Sequence, residues 1–358
     1  EVVLDDKCYL YGKLPATEGK KEIPALGFIA HMDTVSDFCD HEIRPMVTEN
    51  YDGGDLVLGT SGLVLSPKEF PHLTGLKGRT LLTSDGTTIL GADDKAGIAE
   101  ILTMIERIQT ENRPHGMICV AFTPDEEIGM GAEHFNLDQF GAEYAYTLDG
   151  DSEGEIQYEN FNACKAEFEI RGFNVHPGEG KDTMINASLV AIEINNCLPS
   201  METPRGTEDY EGFYHLISMQ GEVGEAKLNY IVRDHDKNGF EERKKTLRLI
   251  EKNLNAKWGE GTVTLKITDQ YLNMKEIVEE HMHLIDHAKK ACEAAGVAPL
   301  ILPIRGGTDG CQLSFKGLPC PNLGTGGHAF HGPYEHISVE GMEKSVELLL
   351  ALIQEYTK

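Results

Sequence analysis

Five short stretches of the sequence place histidines or acidic residues at the boundaries of apolar runs. They are His31-Met32-Asp33, Asp93-Asp94, Glu126-Glu127, Asp149, and residues 327–336, which hold three histidines. Imidazole and carboxylate groups are common ligands of zinc, with cobalt and manganese as other candidates. Carboxylates held close together repel one another, so they must take up protons or bind cations. Gathered at one place, these residues predict metal-assisted hydrolysis.

Each stretch taken alone also has an ordinary structural explanation. Asp93 opens a helical pattern, where aspartate is a common N-cap. His31 and Asp33 lie on one side of an extended chain, so the carboxylate could orient a ligating imidazole. Taken alone, however, this pair is better explained as two unrelated surface residues. Glu126 and Glu127 point apart in extended backbone, so one could bind a cation while the other faces a different atom. Taken alone, this pair is better explained by an acidic loop or a helix start.

The combination of stretches is more informative than any one of them. Five residues could each supply one ligand at the predicted carboxyl edge of one sheet: His31, Asp93, Glu127, Asp149 and His331. A catalytic zinc normally takes three protein ligands and a water. Two ions that share one bridging carboxylate would use all five. The sequence contains no H-E-x-x-H motif and no G-x-x-x-x-G-K-[ST] motif.

The apolar pattern predicts the elements that must position these residues. Residues 23–30, 117–122 and 144–148 form apolar runs typical of buried strands, and a helical pattern extends from residue 91 to about residue 110. Charged residues follow each run. In open α/β sheets, ligands bind outside the carboxyl ends of the strands. The pattern therefore predicts an α/β sheet with the candidate ligands along one edge.

The chain of 358 residues is long enough for two domains. Near residue 160 the pattern changes. Strands now alternate apolar and polar residues, and amphipathic helices lie between them, which predicts an inserted α+β domain over residues 160–268. The α/β pattern returns from residue 269. We therefore predict one domain made of residues 1–159 and 269–358, interrupted by the inserted domain.

Composition excludes several classes of partner. The net charge is −27, from 59 acidic and 32 basic residues, and such a surface repels nucleic acids and anionic lipids. No apolar run approaches the ~20 residues that span a bilayer. The eight cysteines are scattered without a C-x-x-C pair, which is typical of a reduced cytoplasmic protein. No methionine precedes Met32, so we expect the native start to lie upstream of Glu1.

Several motifs resemble the co-catalytic zinc exopeptidases, a family that includes carboxypeptidase G2, the acylases and the di- and tripeptidases. The motifs are H-M-D-T at residue 31, G-A-D-D-K-A-G at 91, F-T-P-D-E-E-I-G at 122, Asp149, N-V-H-P-G at 174, R-G-G-T-D-G at 305 and F-H-G at 330. Longer patterns at residues 211–216, 230–234 and 303–310 are similar to those of the bacterial aminotripeptidases. The resemblance begins near Gly27 and lacks an N-terminal segment usual in the family. It implies a mixed-sheet α/β catalytic domain with an inserted α+β lid or dimerisation domain.

The resemblance implies two zinc ions per chain, for which cobalt or manganese could substitute. His31 and Asp149 would bind one ion, and Glu127 and His331 would bind the other. Asp93 would bridge both ions, and in the family the peptide bond that follows this residue is typically cis.

The resemblance also implies catalytic roles. Asp33 would orient His31. Glu126 would be the general base that removes a proton from the metal-bridging water and passes it to the leaving amine. His176, in the inserted domain, would stabilise the oxyanion.

The implied substrates are tripeptides, from which the enzyme would remove the N-terminal residue. Arg233 and Arg305 are candidates for binding the free carboxylate of the substrate, with Asn229 as a weaker polar partner. A related dipeptidase or N-acyl-amino-acid deacylase is an alternative, as is a non-catalytic metal-dependent peptide-binding protein. The inserted domain could also form a homodimer. The residues alone predict a two-metal hydrolase, and the peptide substrate rests on the resemblance.

Overall fold

The computed structural model describes residues 1–358, and the chain divides into two compact units. The first unit comprises Glu1–Tyr158, Met274–Leu302 and Thr308–Lys358, and the second comprises Glu159–Asn273 and Pro303–Gly307. The strands are β1 (Val2–Leu4), β2 (Leu10–Leu14), β3 (Leu26–His31), β4 (Pro45–Thr48), β5 (Leu56–Val57), β6 (Val64–Leu65), β7 (Leu81–Ser84), β8 (Ile118–Thr123), β9 (Tyr144–Gly150), β10 (Glu155–Gln157), β11 (Asn162–Arg171), β12 (Phe213–Gly221), β13 (Glu225–Asp234), β14 (Val263–Tyr271), β15 (Leu300–Ile301), β16 (Asn322–Gly324), β17 (Gly327–His328) and β18 (His336–Ser338). The helices are α1 (Ala92–Thr110), α2 (Leu137–Phe140), α3 (Ala187–Asn196), α4 (Lys237–Trp258), α5 (Lys275–Val278), α6 (His283–Ala294), α7 (Asp309–Phe315) and α8 (Val339–Thr357).

An eight-stranded mixed sheet forms the centre of the first unit, with strand order β1-β2-β8-β3-β9-β16-β10-β15. The four strands β8, β3, β9 and β16 run parallel to one another. All residues of β3 and β8 are buried, which explains why the sequence shows them as unbroken apolar runs. Because the four strands are parallel, the carboxyl ends of β8, β3, β9 and β16 lie side by side. This architecture confirms the predicted mixed-sheet α/β fold.

Helix α1 packs against this sheet through a glycine. Gly97 is buried, and a Cβ atom at this position would overlap the carbonyl oxygen of Leu148 in β9 and lie 2.6 Å from Asp94 Oδ1. Only a residue without a side chain allows the helix to approach the strand so closely. The last glycine of the G-A-D-D-K-A-G motif is therefore explained by packing.

The second unit is built on a four-stranded antiparallel sheet, in the order β12-β13-β11-β14. Helices α3 and α4 pack on it, and their apolar side chains form one core with those of the strands. Alternate residues of β11 are buried, as expected for a sheet covered on one face. The sequence-based prediction that this unit serves as a lid or a dimerisation domain stays a prediction.

Two further observations concern the whole chain. None of the helices combines the length and the apolar character that crossing a bilayer requires. All eight cysteines are free thiols, and five of them are buried.

The packing of Gly97 generates a stability prediction. Gly97→Ala should lower the free energy of unfolding by about 1–3 kcal/mol, because the overlap with the β9 backbone outweighs the better helix propensity of alanine. Urea denaturation followed by circular dichroism measures the change. Gly75→Ala is the matched control, since a Cβ atom there would meet no heavy atom within 4 Å. Equal stability of the two variants would contradict this account of α1 packing.

Candidate metal centre

The candidate ligands lie where elements of the first unit end or begin. His31 is the last residue of β3, and Asp149 is the penultimate residue of β9. The Glu126-Glu127 pair follows the end of β8. Because β8, β3 and β9 are adjacent parallel strands, their carboxyl ends bring these residues together.

Asp93 stands at the centre of the cluster, in the non-helical turn at the start of α1. Its Oδ1 atom lies 2.8 Å from His31 Nε2, and its Oδ2 atom lies 3.0 Å from His331 Nε2. The peptide bond between Asp93 and Asp94 is cis, as the resemblance predicted. One carboxylate therefore faces two imidazoles with its two oxygens, which is the arrangement expected of a bridging ligand.

The other two ligand candidates complete the two sides of Asp93. Asp149 Oδ1 lies 3.4 Å from His31 Nε2, and Glu127 Oε2 lies 3.2 Å from His331 Nε2. His331 is in a loop between β17 and β18 and has a left-handed backbone conformation, with φ of 63°. The structure thus brings together all five residues that sequence analysis selected as metal ligands.

Asp33 forms hydrogen bonds with His31 and with the backbone of Glu126 and Glu127. The Nδ1 atom of His31 lies 3.1 Å from the carbonyl oxygen of Asp33, which can only accept, so Nδ1 carries a proton and a cation would bind through Nε2. The carboxylate of Asp33 accepts hydrogen bonds from the backbone N–H groups of Glu126 and Glu127, each at 3.1 Å. Asp33 therefore contacts the glutamate pair through its carboxylate and His31 through its carbonyl oxygen, and its predicted role in orienting His31 stays a prediction.

Burial sets the electrostatics of the acids. It raises the pKa of Asp149 to about 7, although His31 opposes the shift. Burial, followed by the charges of Asp149 and Asp309, raises the pKa of Glu126. These carboxylates are therefore held in surroundings that disfavour negative charge unless a positive charge is close.

The pKa values of the two imidazoles are also raised, which for a histidine favours the charged form. Burial alone would lower the pKa of His31, but the neighbouring carboxylates, above all Asp149, raise it. Hydrogen bonds to Asp93 and then Glu127 raise the pKa of His331 to about 10. The cluster contains more acids than imidazoles. It therefore attracts positive charge, which protons or divalent cations can supply.

The donor set fits divalent metal ions. Two groups have ligand atoms within 4.8 Å of one another: His31, Glu126 and Asp149, and His31, Asp93 and Glu127. A mixture of imidazole and carboxylate donors is typical of zinc sites. Glu126 belongs to the first group geometrically, so its predicted role as a base rather than a ligand stays a prediction.

Three buried acids that support this cluster were given no role from the sequence. The Oδ2 atom of Asp94 accepts the backbone N–H of His31 at 3.0 Å. Asp309 Oδ2 accepts the hydroxyl of Thr123 at 2.7 Å, at the end of β8. The carboxylate of Glu335 accepts backbone N–H groups at the start of α1. Asp94 and Asp309 lie within the G-A-D-D-K-A-G and R-G-G-T-D-G motifs, which could have drawn attention to them. Glu335 has no such motif and is marked only by its position four residues after His331.

The four remaining candidates belong to the second unit. His176 begins a 3-10 turn over Pro177–Glu179, and its Nδ1 atom accepts the N–H of Gly178 at 3.2 Å. Asn229 donates to the hydroxyl of Ser218 at 2.8 Å. The roles predicted for both residues stay predictions.

The two arginines are engaged by their own unit. Arg233 is buried and donates to the carbonyl oxygens of Cys164 and Val232 and to Gln270. Arg305 donates to the carbonyl oxygens of residues 207, 209 and 211, and its guanidinium lies over the ring of Phe161. These contacts give both arginines a structural role. Binding of a substrate carboxylate stays a prediction.

Comparison with known proteins gives the affiliation of the chain. Residues 86–355 match the profile of Peptidase family M20/M25/M40. Peptidase T of Clostridium perfringens is 54% identical over 359 residues, covering 100% of this chain and 88% of that protein. Peptidase T of Caldanaerobacter subterraneus subsp. tengcongensis is 51% identical over 362 residues, with the same coverage. The crystal structure of aminopeptidase PepT from Bacillus cereus superposes with a TM-score of 0.80 and 26% identity, covering 100% of this chain and 89% of that one. The chain belongs to peptidase family M20/M25/M40.

Proposed function

We propose that this chain is an aminopeptidase that removes the N-terminal residue from tripeptides and holds two divalent cations, zinc in the first instance. The observation that carries the proposal is the position of Asp93, whose two oxygens face His31 and His331 within one cluster of acids. The resemblance to bacterial aminotripeptidases and the aminopeptidase among the solved relatives support the peptide substrate.

The five ligands would divide between the two ions as the family resemblance implies. His31 and Asp149 would hold one ion, Glu127 and His331 the other, and Asp93 both. Bound cations of this kind polarise a carbonyl and lower the pKa of water, so that attack on a peptide bond proceeds at neutral pH.

The remaining residues would move and stabilise charge. Glu126 would take a proton from the attacking water and return it to the leaving amine. Because Nδ1 of His176 accepts a backbone N–H, its proton is on Nε2, which is then free to donate to an oxyanion. A cytoplasmic location, a homodimer and closure of the second unit as a lid remain parts of this proposal.

Peptide length and added metal test the proposal directly. The purified chain should release one free amino acid from a tripeptide, and should act far more slowly on dipeptides and tetrapeptides. Removal of metal by a chelator should abolish release, and reconstitution with zinc should restore it together with two ions per chain by elemental analysis. Faster cleavage of dipeptides or of N-acyl amino acids would favour the alternative enzymes. Full activity with a single bound ion would contradict the shared bridge.

The two adjacent glutamates should behave differently when neutralised. Glu126→Gln should keep both ions and lose turnover by at least about 10²–10⁴-fold, the usual contribution of a general base. Glu127→Gln should lose one ion as well. Asp125→Asn is the matched control, because it removes a neighbouring charge from an exposed side chain. If Glu126→Gln retains the turnover of the control, the base must be another residue.

Amidated substrates test how the enzyme senses the substrate C-terminus. A hydrogen bond to a charged group contributes about 1.5–3 kcal/mol, so amidation of a good tripeptide should lower kcat/KM by roughly 10- to 150-fold. The penalty should largely vanish in whichever of Arg233→Met and Arg305→Met removes the sensor. The ratio of acid to amide within one variant cancels any loss of folded protein. Equal ratios in the parent enzyme and both variants would leave the arginines with their structural contacts only.

A further inference from the structure

Glu335 is a buried carboxylate at the N-terminus of α1, 1% exposed. Its Oε2 atom accepts the backbone N–H groups of Leu90 and Gly91 at 2.6 and 2.8 Å. Its Oε1 atom accepts the N–H of Asp93 at 3.0 Å. Both oxygens are thus used, and all three donors belong to the turn that carries the central aspartate of the cluster.

These N–H groups precede the regular part of α1. Gly91, the residue before α1, has a left-handed conformation and no side chain that could accept an N–H group, and Asp93 and Asp94 have non-helical φ and ψ angles. Glu335 accepts these N–H groups from a position 244 residues after Gly91 in the chain.

The carboxylate of Glu335 joins two segments of the cluster, the turn that carries Asp93 and the loop that carries His331. Glu335 lies four residues after His331, and its own N–H donates to the carbonyl oxygen of Gly332 at 3.1 Å. It immediately precedes β18, which is paired with β7 and β17. The His331 loop is therefore attached to the Asp93 turn twice, once between the side chains of His331 and Asp93 and once through Glu335.

We propose that Glu335 is a positioning residue for the bridging ligand: it fixes the backbone of Asp93 so that the two carboxylate oxygens face two cations at once. Glu335 need not contact a cation to do this. The inference rests on the proposed two-metal centre and assigns a function to a residue outside it.

The substitution Glu335→Gln isolates this role, because the new amide has one acceptor oxygen and one donor nitrogen. The amide oxygen can accept either the N–H groups of Leu90 and Gly91 or the N–H of Asp93. In both cases the amide NH₂ group faces the remaining N–H donor or donors, with which it cannot form a hydrogen bond. Glu340→Gln is the matched control, because both oxygens of Glu340 accept the backbone N–H of Thr80 at 3.1 and 2.9 Å, away from the candidate ligands.

Cobalt binding gives a readout that does not depend on turnover. Metal-free parent, Glu335→Gln and Glu340→Gln proteins are titrated with Co²⁺ by calorimetry, and the visible absorption of the bound ions is recorded. We expect at least one of the two ions to bind about 10- to 100-fold more weakly in Glu335→Gln, with an altered cobalt spectrum, as is usual for residues that orient ligands. Glu340→Gln should match the parent in both measurements.

Each outcome bears on one claim. Unchanged affinity and spectrum in Glu335→Gln would overturn the role of Glu335, and so would an equal loss in the control. If Glu335→Gln does not fold, Glu335→Asp is measured instead, since it keeps the charge but is one methylene too short to reach all three N–H groups. A parent protein that binds no cobalt would refute the proposed metal centre itself, which is a different result.

Discussion

Repulsion among the carboxylates at one sheet edge is the constraint on which the first unit depends. Asp93, Asp149 and Glu126 lie around one buried imidazole, and burial raises the pKa of two of these acids. Charges so close coexist only with protons or cations between them. The three parallel strands that end side by side bring these acids together, and backbone N–H groups stabilise the neighbouring carboxylates of Asp33 and Glu335.

Much of this arrangement could be predicted because buried parallel strands leave a plain signal. β3, β8 and β9 are apolar along most of their length, so their ends are easy to locate in the sequence, and His31 and Asp149 lie at those ends. The rule that parallel strands gather their carboxyl ends then places the ligands together without knowledge of side-chain positions. The family resemblance added what spacing could not, namely which carboxylate lies between the two imidazoles.

What escaped prediction depends on contacts between distant parts of the chain. Glu335 has no local pattern that links it to the start of α1, and Asp309 meets Thr123 only because α7 and β8 are neighbours in the folded unit. The arginines illustrate the same limit. A sequence shows that Arg305 is a cation in a glycine-rich loop, but it cannot show that backbone carbonyl groups of residues 207–211 already occupy its guanidinium.

The sequence separation within the cluster has a consequence for biosynthesis. His331 is translated 238 residues after Asp93, and the whole second unit up to Asn273 lies between them in the chain. A growing polypeptide therefore carries the acids of the cluster, without the last imidazole and without Glu335, while the inserted unit is being made. The five candidate ligands cannot come together until that unit has been synthesised, so the proposed metal centre can bind its full set of ions only after the inserted unit has been made.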